Sequence, residues 1–225
     1  MGFSAQWQHT LGTRQHLVVG LEESNIHGQT NEQGYFGGLP TSSSEGGGRE
    51  VNWGAYLEDI IRVTLDWLLT ASGRVDHRQN FDTFAPPNLA QPVGAAPLPD
   101  RSETFFSPRL ALLHKLTGNV SLTASGSRAF RAPTLNELYR GFRAGNVFTE
   151  ANSNLRAERL TGAEGGAIVT GWNQRLMLRG NFFWNEITRP VANVTLSTTP
   201  SLITRQARIW AAPFHKEWNW KPAAG

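Results

Sequence analysis

Residues 125–142 read SGSRAFRAPTLNELYRGF, and residues 152–164 read NSNLRAERLTGAE. The first run begins as the end of an alternating segment, with Ser121, Thr123, Ser125 and Ser127 opposed to Val120, Leu122 and Ala124. It stops at Pro133. Proline has no amide hydrogen to give a neighbouring strand, and it holds Ala132 in extended geometry, so the strand ends there. Asn136, Gly141, Gly145, Asn146, Asn152 and Asn154 then carry the chain through roughly thirty residues with no strand pattern, and a connection that long is either functional or disordered.

Outward from this loop, strand-like segments follow a rhythm of short and long connections. Segments 3–11 and 16–23 are joined through Gly12-Thr13-Arg14, and 51–61 and 67–76 through a link near Leu65 and Asp66. Segments 105–115 and 120–130 turn at Thr117-Gly118-Asn119, and 160–170 and 175–186 at Gly171-Trp172-Asn173. The intervening connections are long: the glycine-rich 25–50, the proline-bearing 77–103, and the loop quoted above. A ninth strand is expected to begin around 202–208. Short turns on one rim and long loops on the other are the layout of an outer-membrane barrel.

Each segment is close to the roughly ten residues that cross a bilayer at a tilt. Several alternate cleanly. Val51, Trp53, Ala55 and Leu57 oppose Asn52, Gly54, Tyr56 and Glu58, while Leu176, Leu178, Phe182 and Trp184 oppose Arg179, Asn181 and Asn185. A half-buried soluble sheet gives the same pattern, so alternation alone leaves a β-sandwich open. The aromatic residues tip the balance toward the barrel, with a soluble β-sandwich module binding carbohydrate or protein kept as the alternative: Trp7, Trp53, Trp67, Phe130 and Trp184 fall near segment ends on the apolar face, where interfacial girdles sit.

Composition excludes several functions. Mean hydropathy is −0.36 and no segment approaches the length of a transmembrane helix, so a membrane role has to be that of strands. Zero cysteines remove disulfide and thiol chemistry, and a net charge of +3 without a basic cluster argues against a nucleic-acid partner. Six histidines show no metal-ligand spacing, and Gly46-Gly47-Gly48-Arg49 lacks the Lys-Ser/Thr of a phosphate loop. No enzyme activity, cofactor or metal is expected. Glu58, Asp59, Arg74, Arg109, Arg131 and Glu164 are expected to pair across strands on the polar face. The opening, residues 1–7, has neither a basic start nor an apolar stretch and is not expected to be a signal peptide.

The two quoted runs resemble the late-barrel signature of TonB-dependent outer-membrane receptors, where a strand ends in aromatic-Arg-Ala-Pro, a Glu-Leu-Tyr loop follows, and Asn-x-x-Leu-x-x-Glu leads into the next strand. The resemblance implies an all-β fold, an antiparallel up-and-down transmembrane β-barrel wall. It would be incomplete, with about 8–10 strands against the family's ~22. A complete eight-stranded barrel remains the alternative, and pairing between the first and last strands separates the two. The resemblance further implies an outer-membrane location, contact with membrane lipid, a plug domain and TonB as partners of the intact receptor, and a small-molecule ligand such as a siderophore, cobalamin or a glycan. On that basis Arg131, Tyr139, Arg140 and Arg143 are the ligand-side candidates, three cations and a phenol at the barrel mouth suited to an anionic ligand.

Two regions are expected from this: barrel wall over 1–207, and a foreign tail over 208–225. The tail packs three Trp residues into RIWAAPFHKEWNWKP with no alternation. Its codons, taken from the third base of each, permit a string resembling the family's next strand. The expectation is therefore a shifted reading frame near Gln206 and Ala207.

Overall fold

A computed structural model of the chain describes residues 1–86, 95–173 and 175–210. In chain order the strands are β1 (Gly2–Leu11), β2 (Gln15–Phe36), β3 (Leu39–Arg62), β4 (Trp67–Ala85), a two-residue β5 (Ala96–Pro97), β6 (Arg101–Lys115) and β7 (Val120–Arg131). The helix α1 (Leu135–Tyr139) follows, and then β8 (Phe142–Ala144), β9 (Val147–Glu150), β10 (Glu158–Gly171), β11 (Leu176–Thr188), β12 (Val191–Thr198) and β13 (Ile203–Ile209). The main sheet runs β1-β2-β3-β4-β6-β7-β10-β11, every neighbour antiparallel, with β5 attached to β4. This is the expected meander. Among the described residues β1 pairs only with β2 and β11 only with β10, so the sheet is not closed and the eight-stranded barrel is set aside.

The sheet is apolar on its exposed side. Ala5, Leu21, Ala55, Val75 and Phe106 stand in one row across five strands, and Leu21, Val75 and Phe106 are 58%, 45% and 61% exposed. Farther along, Leu69, Leu112, Ala124, Gly165 and Phe182 form a second such row. The other face carries rows such as Ser24, Asn52, Arg78 and Glu103. Water would drive the reverse arrangement, because exposed apolar surface of this extent is unfavourable in a soluble protein. A β-sandwich would hide these rows between two sheets. The described buried cluster instead lies off the main sheet, where Leu138 and Tyr139 of α1, Leu155 and Ala207 of β13 meet.

Three expectations need correction. Residues 25–50 are not a loop: they form the outer halves of β2 and β3, a hairpin that closes at Gly37 and Gly38, both at positive φ (60° and 81°). Ladder hydrogen bonds do not need apolar side chains, and this hairpin projects beyond the apolar belt, with α1 docked on part of one face and lipid on neither, so no period-two apolar signal marks it. Likewise β4 runs on to Ala85, past a bulge at Asp82 (φ 50°). The expected ninth strand exists as β13 but does not extend the wall. It pairs antiparallel with β12 and parallel with β9, in a second sheet ordered β12-β13-β9-β8.

Of the expected girdle, Trp7, Trp53 and Trp67 are exposed at 54%, 54% and 37%. Phe130 departs from it by stacking on the buried ring of Phe105, centroids 3.9 Å apart. The tail beyond Trp210 and the middle of the connection after β4 lie outside the described residues.

Candidate functional site

The inner face of the sheet is a polar wall whose long side chains need glycine beside them. Arg74 reaches across Gly54 to Glu22 (2.7 Å) while also holding Asp76 (2.7 Å). A β-carbon at Gly54 would lie 2.3 Å from that guanidinium. One strand over, Tyr56 lies across Gly20 to donate its hydroxyl to Gln6 (2.8 Å). Glu50 and Arg78 form a buried ion pair, and Asn52 donates to Glu50 (2.8 Å) and Ser24 (3.2 Å). Of the six groups expected to pair, Arg74 and Arg131 do. Asp59 shares parity with Trp53 and Leu57, outward, and accepts from Gln15 (3.4 Å). No ion pair reaches Glu58, Arg109 or Glu164 among the described residues.

The loop after β7 is folded, and the quoted motif residues fold it. Thr134 caps α1 with a reciprocal capping box: Glu137 N–H donates to Thr134 Oγ1 (3.3 Å), and Thr134 N–H donates to Glu137 Oε2 (2.8 Å). Arg131 donates to both oxygens of Glu137 (3.1 Å each) and to Glu158, which also accepts from Val191 N–H. The Asn-x-x-Leu-x-x-Glu element is therefore a brace. Asn152 N–H donates to Glu137 O (3.0 Å), its side chain donates to Ala207 O (2.8 Å), Leu155 is 1% exposed, and Glu158 closes the ring of contacts back to β7. Gln206 donates to Ala151 O (3.0 Å), tying β13 into the same core.

The four candidate residues are not gathered into one open site. Arg131 is engaged by two carboxylates. Tyr139 is 2% exposed in the loop core, its hydroxyl 3.4 Å from Asn80 Nδ2, which makes it a packing residue. Arg140 clamps Glu32 on the β2–β3 hairpin (2.6 Å) and lies over the Phe142 ring at 4.8 Å. Arg143 is exposed, donating to Gly145 O (3.0 Å), and has no carboxylate partner among the described residues. Sequence reasoning missed the brace although Thr134-x-x-Glu137 spells a capping box. It also missed the docking strip Gly46-Gly47-Gly48, where a β-carbon at Gly46 would lie 2.2 Å from Tyr139 O. Among the described residues no three His, Asp or Glu side chains converge as a metal site.

The brace has a pH signature. Burial pushes the Glu137 carboxyl up, but the Thr134 amide and Arg131 pull it down and prevail, leaving it below the ordinary value of 4.5. A depressed carboxylate contributes stability above its unfolded value and loses it as pH falls through the folded one. Amide protection at Leu138 and Tyr139 is thus expected to hold at neutral pH and to drop below that window. Glu137→Gln should flatten the dependence and lower neutral-pH protection by ~1 kcal/mol, a typical capping loss. Identical pH profiles in the two proteins would contradict the assignment.

Comparison with known proteins places this geometry. A family model described as TonB dependent receptor-like, beta-barrel, matches residues 1–210. No curated protein sequence matches the chain. Among solved structures it is similar to the copper transporter OprC, with 15% identity and a TM-score of 0.68 over 92% of this chain and 33% of that one. The Serratia marcescens hemophore receptor HasR, solved with its hemophore HasA and heme, aligns at 14% identity and a TM-score of 0.67, covering 93% of this chain and 36% of that one. The Pseudomonas aeruginosa ferric enterobactin receptor PfeA gives 21%, 0.58, 92% and 30%. The chain thus spans about a third of the length of each receptor. These relatives are receptors and transporters rather than enzymes. With its family model covering nearly the whole length and its sheet apolar side outward, the chain belongs to the TonB-dependent receptor β-barrel family, whose members are outer-membrane proteins.

Proposed function

We propose that the chain forms part of the wall of an outer-membrane receptor that takes up a scarce ligand, a ferric siderophore, cobalamin or a glycan, and does not transport by itself. The observation that carries this is the inverted sheet, apolar outward and polar inward, ending in edges β1 and β11 that have no further strand partner among the described residues. Unpaired edges are unsatisfied in lipid and prone to association in water, so a further wall has to meet them. Inside, Arg109, Glu164 and Arg179 line a concavity of about 410 Å³ without ion-pair partners among the described residues. That is the surface a plug domain would face in the intact receptor, with TonB acting on the plug.

Association with a bilayer tests the reading. In vesicles the tryptophans of the outer face should be quenched by brominated acyl chains. A monomeric, cooperatively folded chain in water without detergent would overturn it. The tail, 208–225, we read as a shifted frame, which the coding DNA decides.

The rim bearing the long connections is the extracellular one in this reading, and a cysteine at the exposed Ala144 should be labelled from outside cells. The relatives' names span copper, heme with its hemophore, and ferric enterobactin, so the ligand is kept as a class. Arg143 is the ligand-side cation open to solvent, with Arg140 held by Glu32 and Arg131 by its carboxylates. In the intact receptor Arg143→Glu should slow uptake of an anionic ligand more at low salt than high, since exposed charges are screened within ~10 Å at 0.1 M salt. Salt-independent slowing would assign Arg143 a structural role.

A further inference from the structure

A cationic concavity lies on the outer face, away from both the polar wall and the folded loop. It is about 340 Å³, lined by Arg128, Arg159, Thr161, Thr188 and Arg189. Register puts all but Arg189 on the outward parity: Arg128 opposes Thr161, and Arg159 opposes Thr188. The row below it is Gly126, Ala163 and Trp184, continuous with Ala124, Gly165 and Phe182 in the apolar belt. The guanidinium groups therefore begin where the belt ends, one row above its tryptophan. None of the three arginines has an ion-pair partner among the described residues. The nearest carboxylate in register is Glu186, in the row of Arg128 and Thr161, which leaves an excess of two positive charges. Arg189 is held at positive φ (60°), a conformation arginine seldom adopts, immediately after β11.

We propose that this concavity binds the phosphorylated headgroup of a membrane lipid, in the leaflet on the side of the long connections, with the acyl chains lying down the belt over Trp184 and Phe182. Three forked cations with two hydroxyls beside them suit phosphate oxygens, which accept paired, charge-assisted hydrogen bonds. Position selects the lipid over a free anion. The site opens at the edge of the apolar belt, outside the wall, where a soluble anion gains no chain contacts and a lipid gains both. The inference rests on the wall being in a membrane, and its test is chosen to separate the two.

The full chain is placed in phosphatidylcholine vesicles with and without a minor fraction of a diphosphorylated lipid, and the lipid retained after gentle detergent extraction is counted by native mass spectrometry. Wild type should retain the diphosphorylated lipid over phosphatidylcholine, and Arg128→Gln/Arg159→Gln/Arg189→Gln should lose that retention by on the order of tenfold or more, the loss of at least one charge-assisted hydrogen bond. The triple lysine variant should keep much of it, which guards against misfolding of the glutamine variant, and Glu186→Gln should raise it. Equal retention by wild type and the glutamine variant overturns the headgroup site while leaving the wall reading intact. Displacement by millimolar inorganic phosphate overturns the lipid assignment in favour of a general anion site. Failure of the chain to associate even with phosphatidylcholine sinks the wall reading and the site with it.

Discussion

Leu57→Arg should destabilise the wall by ~2–4 kcal/mol in a bilayer, the cost of arginine on the lipid face of a membrane strand near mid-depth. Leu57 is 50% exposed, four residues from Trp53 and four from Ile61 on β3, so it occupies the middle of the belt. In any water-soluble fold, arginine at a half-exposed position would change stability by less than ~0.5 kcal/mol and would improve solubility. The two outcomes differ severalfold in size. Leu39→Arg is the matched control, because Leu39 is 70% exposed at the tip of the β2–β3 hairpin, beyond the belt. It should leave the urea midpoint in bilayers unchanged. A Leu57→Arg chain as stable as wild type would remove the membrane reading, along with the headgroup site built on it.

How far the sequence reveals such a fold depends on whether the environment differs across a strand. Where one face meets lipid and the other meets water, as along Trp53, Ala55 and Leu57 against Asn52, Gly54 and Tyr56, the contrast is written as alternation and the strand is legible. Where β2 and β3 project beyond the belt and meet lipid on neither face, residues 25–50 look like loop although they pair residue by residue from Asn25↔Val51 to Phe36↔Leu39. The four-residue β9 and three-residue β8 are too short to carry a period at all. The motif after β7 was legible as a family signature, but its roles were not. Tyr139 as a residue type suggests a ligand-side phenol, whereas its place on a capped single-turn helix, beside Leu138, turns it into the core. Capping and burial together make the motif a device for folding the loop. Of the three arginines proposed for the ligand side, Arg143 is then the one left without a carboxylate partner among the described residues.

The docking strip gives the sharpest test of that conclusion. Gly46-Gly47-Gly48 has no phosphate-loop chemistry, and its reason is steric. A β-carbon at Gly46 would stand 2.2 Å from the Tyr139 carbonyl oxygen, and one at Gly48 would stand 2.7 Å from the Thr83 side chain. The first obstacle is backbone at the end of α1, anchored by the capping box at one end and by the Arg140 to Glu32 pair just beyond, so it cannot swing aside as a side chain would. Gly46→Val should therefore undock the loop at a cost of ~1–3 kcal/mol or more, the usual range for overpacking a fitted contact. Proteolysis should then cut within residues 135–150 while the wall strands stay protected. Gly118→Ala, at a turn where a β-carbon meets nothing within 4 Å, should change neither. If Gly46→Val left the loop protected, the loop would have to be held by the Arg131, Glu137 and Glu158 brace alone. Breaking that brace with Glu137→Gln in the same background should then release it. Protection surviving both changes would mean that the loop's position is not set by the contacts described, and that the family motif has a task other than holding it against the hairpin.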